Sequence, residues 1–105
     1  MKIILINELS NDTLNTEINK ALDSSIKSII IFVTGNKTPK LNLVRNDLIA
    51  TTQHVSKNLV EDTLNTQNRV KNGINTMLKQ DNKNVFLLSV DNFEVANKLV
   101  ELLAK

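Results

Sequence analysis

Ile29-Ile30-Ile31-Phe32-Val33 is the stretch whose reading decides the fold. Five consecutive β-branched or aromatic residues have no polar side to turn to water, so the stretch reads as a strand covered on both faces. The strand is read as running from Ile26 to Val33, and Thr34-Gly35-Asn36 ends it in turn residues. A strand covered on both faces belongs to a sheet with helices on either side, which makes this an α/β chain.

Upstream, Ile3 to Ile6 repeats the aliphatic run in shorter form and stops at Asn7-Glu8. Ser10, Asn11 and Asp12 then offer cap oxygens to a segment whose apolar positions, Leu14, Ile18, Ala21 and Leu22, fall on one helical face. Strand, helix and strand at this spacing predict a right-handed βαβ crossover with parallel strands. Downstream, Asn84 to Val90 supplies a third strand through Val85-Phe86-Leu87-Leu88. Asp91 and Glu94 have the spacing of a capping box, and a helix follows with Phe93, Ala96, Val100 and Leu103 on one side and Val95, Leu99 and Leu102 beside them. The expectation is one α/β domain over residues 1–105, a small three-stranded, mainly parallel sheet flanked by helices.

Between Thr38 and Gln80 the pattern changes. Thr38 and Pro39 suit a helix start. From there Leu41, Val44, Leu48, Thr52, Val55, Leu59, Thr63, Thr66, Val70, Ile74 and Met77 follow at spacings of 3, 4 and 4, an 11-residue period. Such a period keeps one stripe on one side of a nearly straight helix. As a single helix the segment is roughly 60 Å long, against about 23 Å for a seven-residue strand. It therefore either projects and meets a second chain, or breaks near Glu61-Asp62 into a hairpin. Weak Thr63 and Thr66 favour the break. Asp12-Thr13-Leu14-Asn15-Thr16 also recurs as Asp62-Thr63-Leu64-Asn65-Thr66, which reads first as coincidence in a chain rich in Asn, Thr and Leu; a duplicated helix-strand unit is the alternative and would support the break near Asp62.

Composition removes several classes of function. Cysteine is absent, so disulfides, thiolate metal sites and a cysteine nucleophile are excluded. The aromatics are 3% of the chain, too few to stack bases or sugars. The net charge is +2 with both signs interspersed, so Lys20, Lys27, Lys37, Lys40 and Arg45 form no basic stripe and a nucleic-acid partner is not expected. The leading apolar run is too short for an export signal or a membrane span, and a cytoplasmic location is the expectation. Asparagine is abundant alongside lysine and isoleucine, a bias read as neutral surface.

In an open parallel sheet, ligands bind beyond the carboxyl ends of the strands. Those ends carry Asn7 and Glu8, then Thr34 to Lys37, then Ser89, Asp91 and Asn92. Glu8 and Asp91 have base chemistry and Lys37 could hold an anion, so Glu8, Lys37 and Asp91 are the ligand-binding candidates. The opposing reading is that strand ends always carry polar turns and that Asp91 is a helix cap. His54, the only histidine, falls beside the stripe and reads as a surface or interface residue. No phosphate-cradling glycine loop or dinucleotide fingerprint is present, and no metal site or cofactor is expected.

Ile6-Asn7, Thr13-Leu14-Asn15-Thr16-Glu17 and Ile29 to Gly35 together resemble the opening of a crotonase-family chain, over about a third of the sequence. Lys37-Thr38-Pro39-Lys40-Leu41-Asn42 stands where that family has its Ser-Ala-Gly-Gly-type oxyanion segment, so no activity carries over. Two functions are left. The first is an interaction or regulatory module that meets a protein partner or itself through Leu41, Val44, Leu48, Val55, Leu59, Val70, Ile74 and Met77. The second is a small ligand-binding or catalytic domain working at the strand ends.

Overall fold

The computed structural model describes residues 2–6, 10–34, 40–50, 53–56, 68–69, 71–73, 75–76, 79 and 82–103. It is a mixed α/β protein with a parallel sheet of four strands in the order β1-β2-β4-β3. In chain order these are β1 (Lys2–Ile6), β2 (Ser28–Val33), β3 (Gln53–Val55) and β4 (Val85–Val90); helix α1 (Asn11–Leu22) joins β1 to β2, and α2 (Phe93–Leu103) follows β4. Among the described residues, no helix is long and apolar enough to cross a membrane.

The two central strands are the two most apolar. Every residue of β4 is buried, and β2 is buried from Ser28 to Phe32; it starts at Ser28 and not at the expected Ile26, which is exposed in the bend after α1. Their alternate side chains feed two cores. Ile30, Phe32, Val85 and Leu87 face α1, whose Leu14, Ile18, Ala21 and Leu22 are all buried as the spacing predicts. Ile29, Ile31, Phe86, Leu88 and Val90 face Val95, Ala96 and Leu99 of α2. Phe93 is half exposed at the start of that helix and takes no part in this core.

The sheet has a fourth strand because the segment after Pro39 is not the helix its spacing predicts. Residues 40–45 are non-helical, Asn46–Leu48 is a short 3-10 turn, and Gln53–Val55 is β3, paired in parallel with β4. Of the expected stripe, Leu41 and Val44 are exposed, Leu48 is half-buried on the α1 side, and Val55 is buried among the α2-side residues. These four therefore share no helical face. Only later, between 68 and 79, are the described residues helical. Leu59, Val70, Ile74 and Met77, the break at Glu61-Asp62 and the second copy of the Asp-Thr-Leu-Asn-Thr echo lie outside the described residues. The longest principal extent is 35 Å, well short of the roughly 60 Å of an unbroken helix.

Competition from α1 explains the loss of helix at 40–44. Asn11, Asn15 and Asn19 stand one helical turn apart, and their amides hydrogen-bond the main chain passing beside them. The Lys40 N–H donates to Asn11 Oδ1 (3.3 Å), and Asn15 Nδ2 donates to the Lys40 carbonyl (3.0 Å). The Asn42 N–H donates to Asn15 Oδ1 (2.8 Å), Asn19 Nδ2 donates to the Asn42 carbonyl (3.3 Å), and the Val44 N–H donates to Asn19 Oδ1 (3.1 Å). Four residues of helix rise about 6.0 Å and two residues of strand about 6.6 Å, so each asparagine meets every second residue of an extended chain. These asparagines are a structural ladder and not the neutral surface that composition implies.

Candidate functional site

Leaving the ladder, the chain reaches the sheet at Leu48 to Ala50. Ile49 bridges to Val85, the Asn84 N–H donates to the Leu48 carbonyl (2.8 Å), and the Ala50 N–H donates to the Val85 carbonyl (2.9 Å). Gln53 then pairs with Leu88, so four steps along this chain match three along β4. One additional residue on the outer strand has the effect of a β-bulge, exchanging the faces to which later side chains point. With an unbroken register His54 would face α2. With the additional residue His54 pairs with Ser89 and shares its face, while Val55 pairs with Val90 on the α2 side.

The result is a three-residue polar array at the carboxyl ends of β3 and β4. His54 Nδ1 lies 2.7 Å from Ser89 Oγ, and His54 Nε2 lies 2.7 Å from Asp91 Oδ1. An ionised carboxylate only accepts hydrogen bonds, so Nε2 carries the hydrogen, and in the neutral ring Nδ1 then accepts from the Ser89 hydroxyl. The nitrogen–carboxylate distance is that of a charge-assisted bond. Ser89 also makes the array continuous with the sheet interior, being only 7% exposed, whereas the side chains of His54 and Asp91 are 46% and 39% exposed. The serine end is buried and the His54–Asp91 end is partly exposed to solvent.

Asp91 is available to His54 because the capping role falls to its neighbour. Asn92 Oδ1 accepts from the Val95 N–H (3.0 Å), and the Ala96 N–H donates to the Asn92 carbonyl (3.2 Å), which makes Asn92 the N-cap of α2. The expected Asp91 cap is thereby corrected by one residue. Beyond β2, buried Thr34 closes the other side: its N–H and hydroxyl both donate to the Val90 carbonyl, at 3.0 and 3.4 Å.

The topology places the array beside the switch point between β2 and β4. Of the described residues that come after β2, Leu43, Leu48 and Ile49 pack on the α1 side, whereas α2, which follows β4, packs on the opposite face. Adjacent strands whose outgoing connections diverge to opposite faces mark the switch point at which open α/β sheets bind ligands. Thr34 and Asp91 stand on its two sides.

Of the three ligand-binding candidates, Asp91 is in the array, and Glu8 and Lys37 lie outside the described residues. His54, read from sequence as a surface or interface residue, is the central member. The signal that could have found it is the Gln53-His54-Val55 alternation, with an apolar residue next to a lone histidine. Among the described residues, no group of three histidine or acidic side chains is arranged to hold a metal ion. In comparisons with known proteins, no protein-family profile, no curated protein and no solved structure matches this chain.

Proposed function

We propose that this protein binds a small ligand bearing hydroxyl or amine donors at the carboxyl edge of β3 and β4, with Asp91 and His54 as contact groups and Ser89 as the positioning hydroxyl. The observation that carries this reading is the Ser89–His54–Asp91 array, buried at the serine and partly exposed to solvent at the other two. The same three residue types act as a nucleophilic triad when the hydroxyl is accessible. The exposures favour binding over nucleophilic attack. Attack by Ser89 Oγ needs a reacting atom about 3 to 3.5 Å away, and a serine 7% exposed in a central strand offers little room for one. Half-exposed His54 and Asp91 meet solvent directly.

The test is a titration of the isotope-labelled chain with a set of small alcohols, diols and amines, following the His54 ring signals. Binding members shift those signals, and Asp91→Ala or His54→Ala weakens binding at least tenfold. The reading is abandoned if no member moves the ring or if binding survives both substitutions. Stoichiometric labelling of Ser89 by a fluorophosphonate would replace it with acyl-transfer chemistry at the same site.

A further inference from the structure

The stretch 40–44 has two edges, and only one of them is used. Lys40, Asn42 and Val44 turn their main-chain groups toward α1, where the asparagine ladder meets them in five hydrogen bonds. In an extended chain, alternate residues point their N–H and C=O groups to opposite sides. Leu41 and Leu43 therefore point theirs away from α1, and among the described residues neither main chain is hydrogen-bonded to another. Leu41 is 38% and Val44 81% exposed. An accessible row of unpaired donors and acceptors is a template for another extended chain.

We propose that this edge docks an extended peptide segment of a partner protein, which pairs as an added strand with the N–H and C=O groups of Leu41 and Leu43. Main-chain pairing of this kind supplies affinity, and alternate side chains supply selectivity. Leu43 packs half-buried against the α1-side core, so Lys40, Asn42 and Val44 share the outward face. Among the described residues Lys40 makes no ion pair, whereas Arg45 beyond it is held by Asp47 at 3.3 Å. The fitting segment thus carries an acidic side chain near Lys40 and an aliphatic one near Val44.

Size separates a peptide from a second copy of this chain. At the rise of an extended chain, residues 40–44 give a strip of about 17 Å by about 10 Å at most. A stable protein dimer covers about 800 Å² on each partner, several times that strip. A five- or six-residue peptide covers the strip completely. The assignment places Leu41 and Val44 at a protein contact, as the sequence suggests, but through an extended edge in place of a helical stripe. It is independent of the ligand site, which lies on other strands.

The experiment titrates the labelled full chain with an acetylated, amidated six-residue peptide alternating valine and threonine with one glutamate. The amide signals of Leu41 and Leu43 are expected to move and to saturate at a peptide concentration between about 10 μM and 1 mM. The same peptide N-methylated on its pairing edge binds at least tenfold more weakly. Leu41→Pro removes one edge donor that the fold does not use and should weaken binding by a similar factor, with β2 and β4 signals unchanged. If that variant does not fold, the N-methylated peptide still decides. Shifts absent at about 1 mM peptide, or equal for the N-methylated form, overturn the proposal. So do Leu41 and Leu43 shifts that grow with protein concentration alone, which would assign the edge to a second copy.

Discussion

Replacing Asn15 by alanine tests the ladder at its middle rung. Asn15 makes two of its hydrogen bonds, to the Lys40 carbonyl at 3.0 Å and from the Asn42 N–H at 2.8 Å, both exposed to solvent. At the low end of the usual range each contributes about 0.5 kcal/mol net, because the freed groups turn to water and are not buried unsatisfied. The loss is therefore about 1 kcal/mol. Alanine returns roughly 0.6 kcal/mol as the better helix former, and the two terms nearly cancel in a urea midpoint. The effect is local instead. Without its acceptor, the Asn42 amide should exchange with solvent about fivefold faster, the factor that 1 kcal/mol represents. Asn15→Asp keeps the acceptor and loses only the donor, so Asn42 protection should largely survive in that variant. Hydrogen exchange followed by NMR distinguishes the two. Unchanged Asn42 exchange in N15A would refute the ladder, as would faster exchange spread evenly through β2 and β4.

The remaining expectations concern the core and the site. Leu87→Ala, at a position 0% exposed between β4 and α1, should cost about 2 to 5 kcal/mol in urea unfolding with an unchanged slope; a loss below 1 kcal/mol would mean that this core is loosely packed. Asn92→Ala should destabilise by about 1 kcal/mol through the lost cap, whereas Asp91→Ala should leave α2 intact and move the His54 ring signals; the reverse result would restore Asp91 as the cap. Long-range nitrogen–proton correlation at alkaline pH should find the hydrogen of the neutral His54 ring on Nε2, and an Nδ1–H tautomer would contradict the assigned order of donors.

The sheet was legible wherever burial on two faces left no alternative. Ile29 to Val33 and Val85 to Leu88 are central strands, and continuous aliphatic runs have no other use in a parallel sheet. Helix α1 was legible for a related reason, since Leu14, Ile18, Ala21 and Leu22 define one face and Ser10 precedes them as cap. The segment after Pro39 was misread because spacings of three and four arise readily among scattered leucine, valine and threonine. A two-residue alternation at Gln53-His54-Val55 is too short to compete with an eleven-residue one on periodicity. Propensity pointed the other way: Thr51, Thr52 and Val55 are β-branched, and Asn42 and Asn46 are poor helix formers. The asparagines of α1 were hidden by their own abundance. Three of them on one helical face cost propensity at each position, and that cost is the sign that their amides are needed.

The ladder, the register shift and the array form one causal chain. A helix at 40–50 would carry Leu48 and Ile49 away from β4. Amides spaced to match an extended chain hold 40–44 beside α1, which brings Leu48 to Ala50 against Asn84 and Val85. From that anchor, one additional residue before Gln53 decides which face His54 takes, and only on the α1 side does it meet Ser89. Deleting a single residue between Ala50 and Gln53 should therefore leave β2 and β4 intact while turning His54 toward the α2 core, where a half-exposed polar ring cannot be accommodated without cost. Loss of the His54–Asp91 contact with retained sheet signals is the expected outcome. A site that survived the deletion would show that β3 is placed by its own pairing with β4 and that the ladder serves only the strand edge it holds.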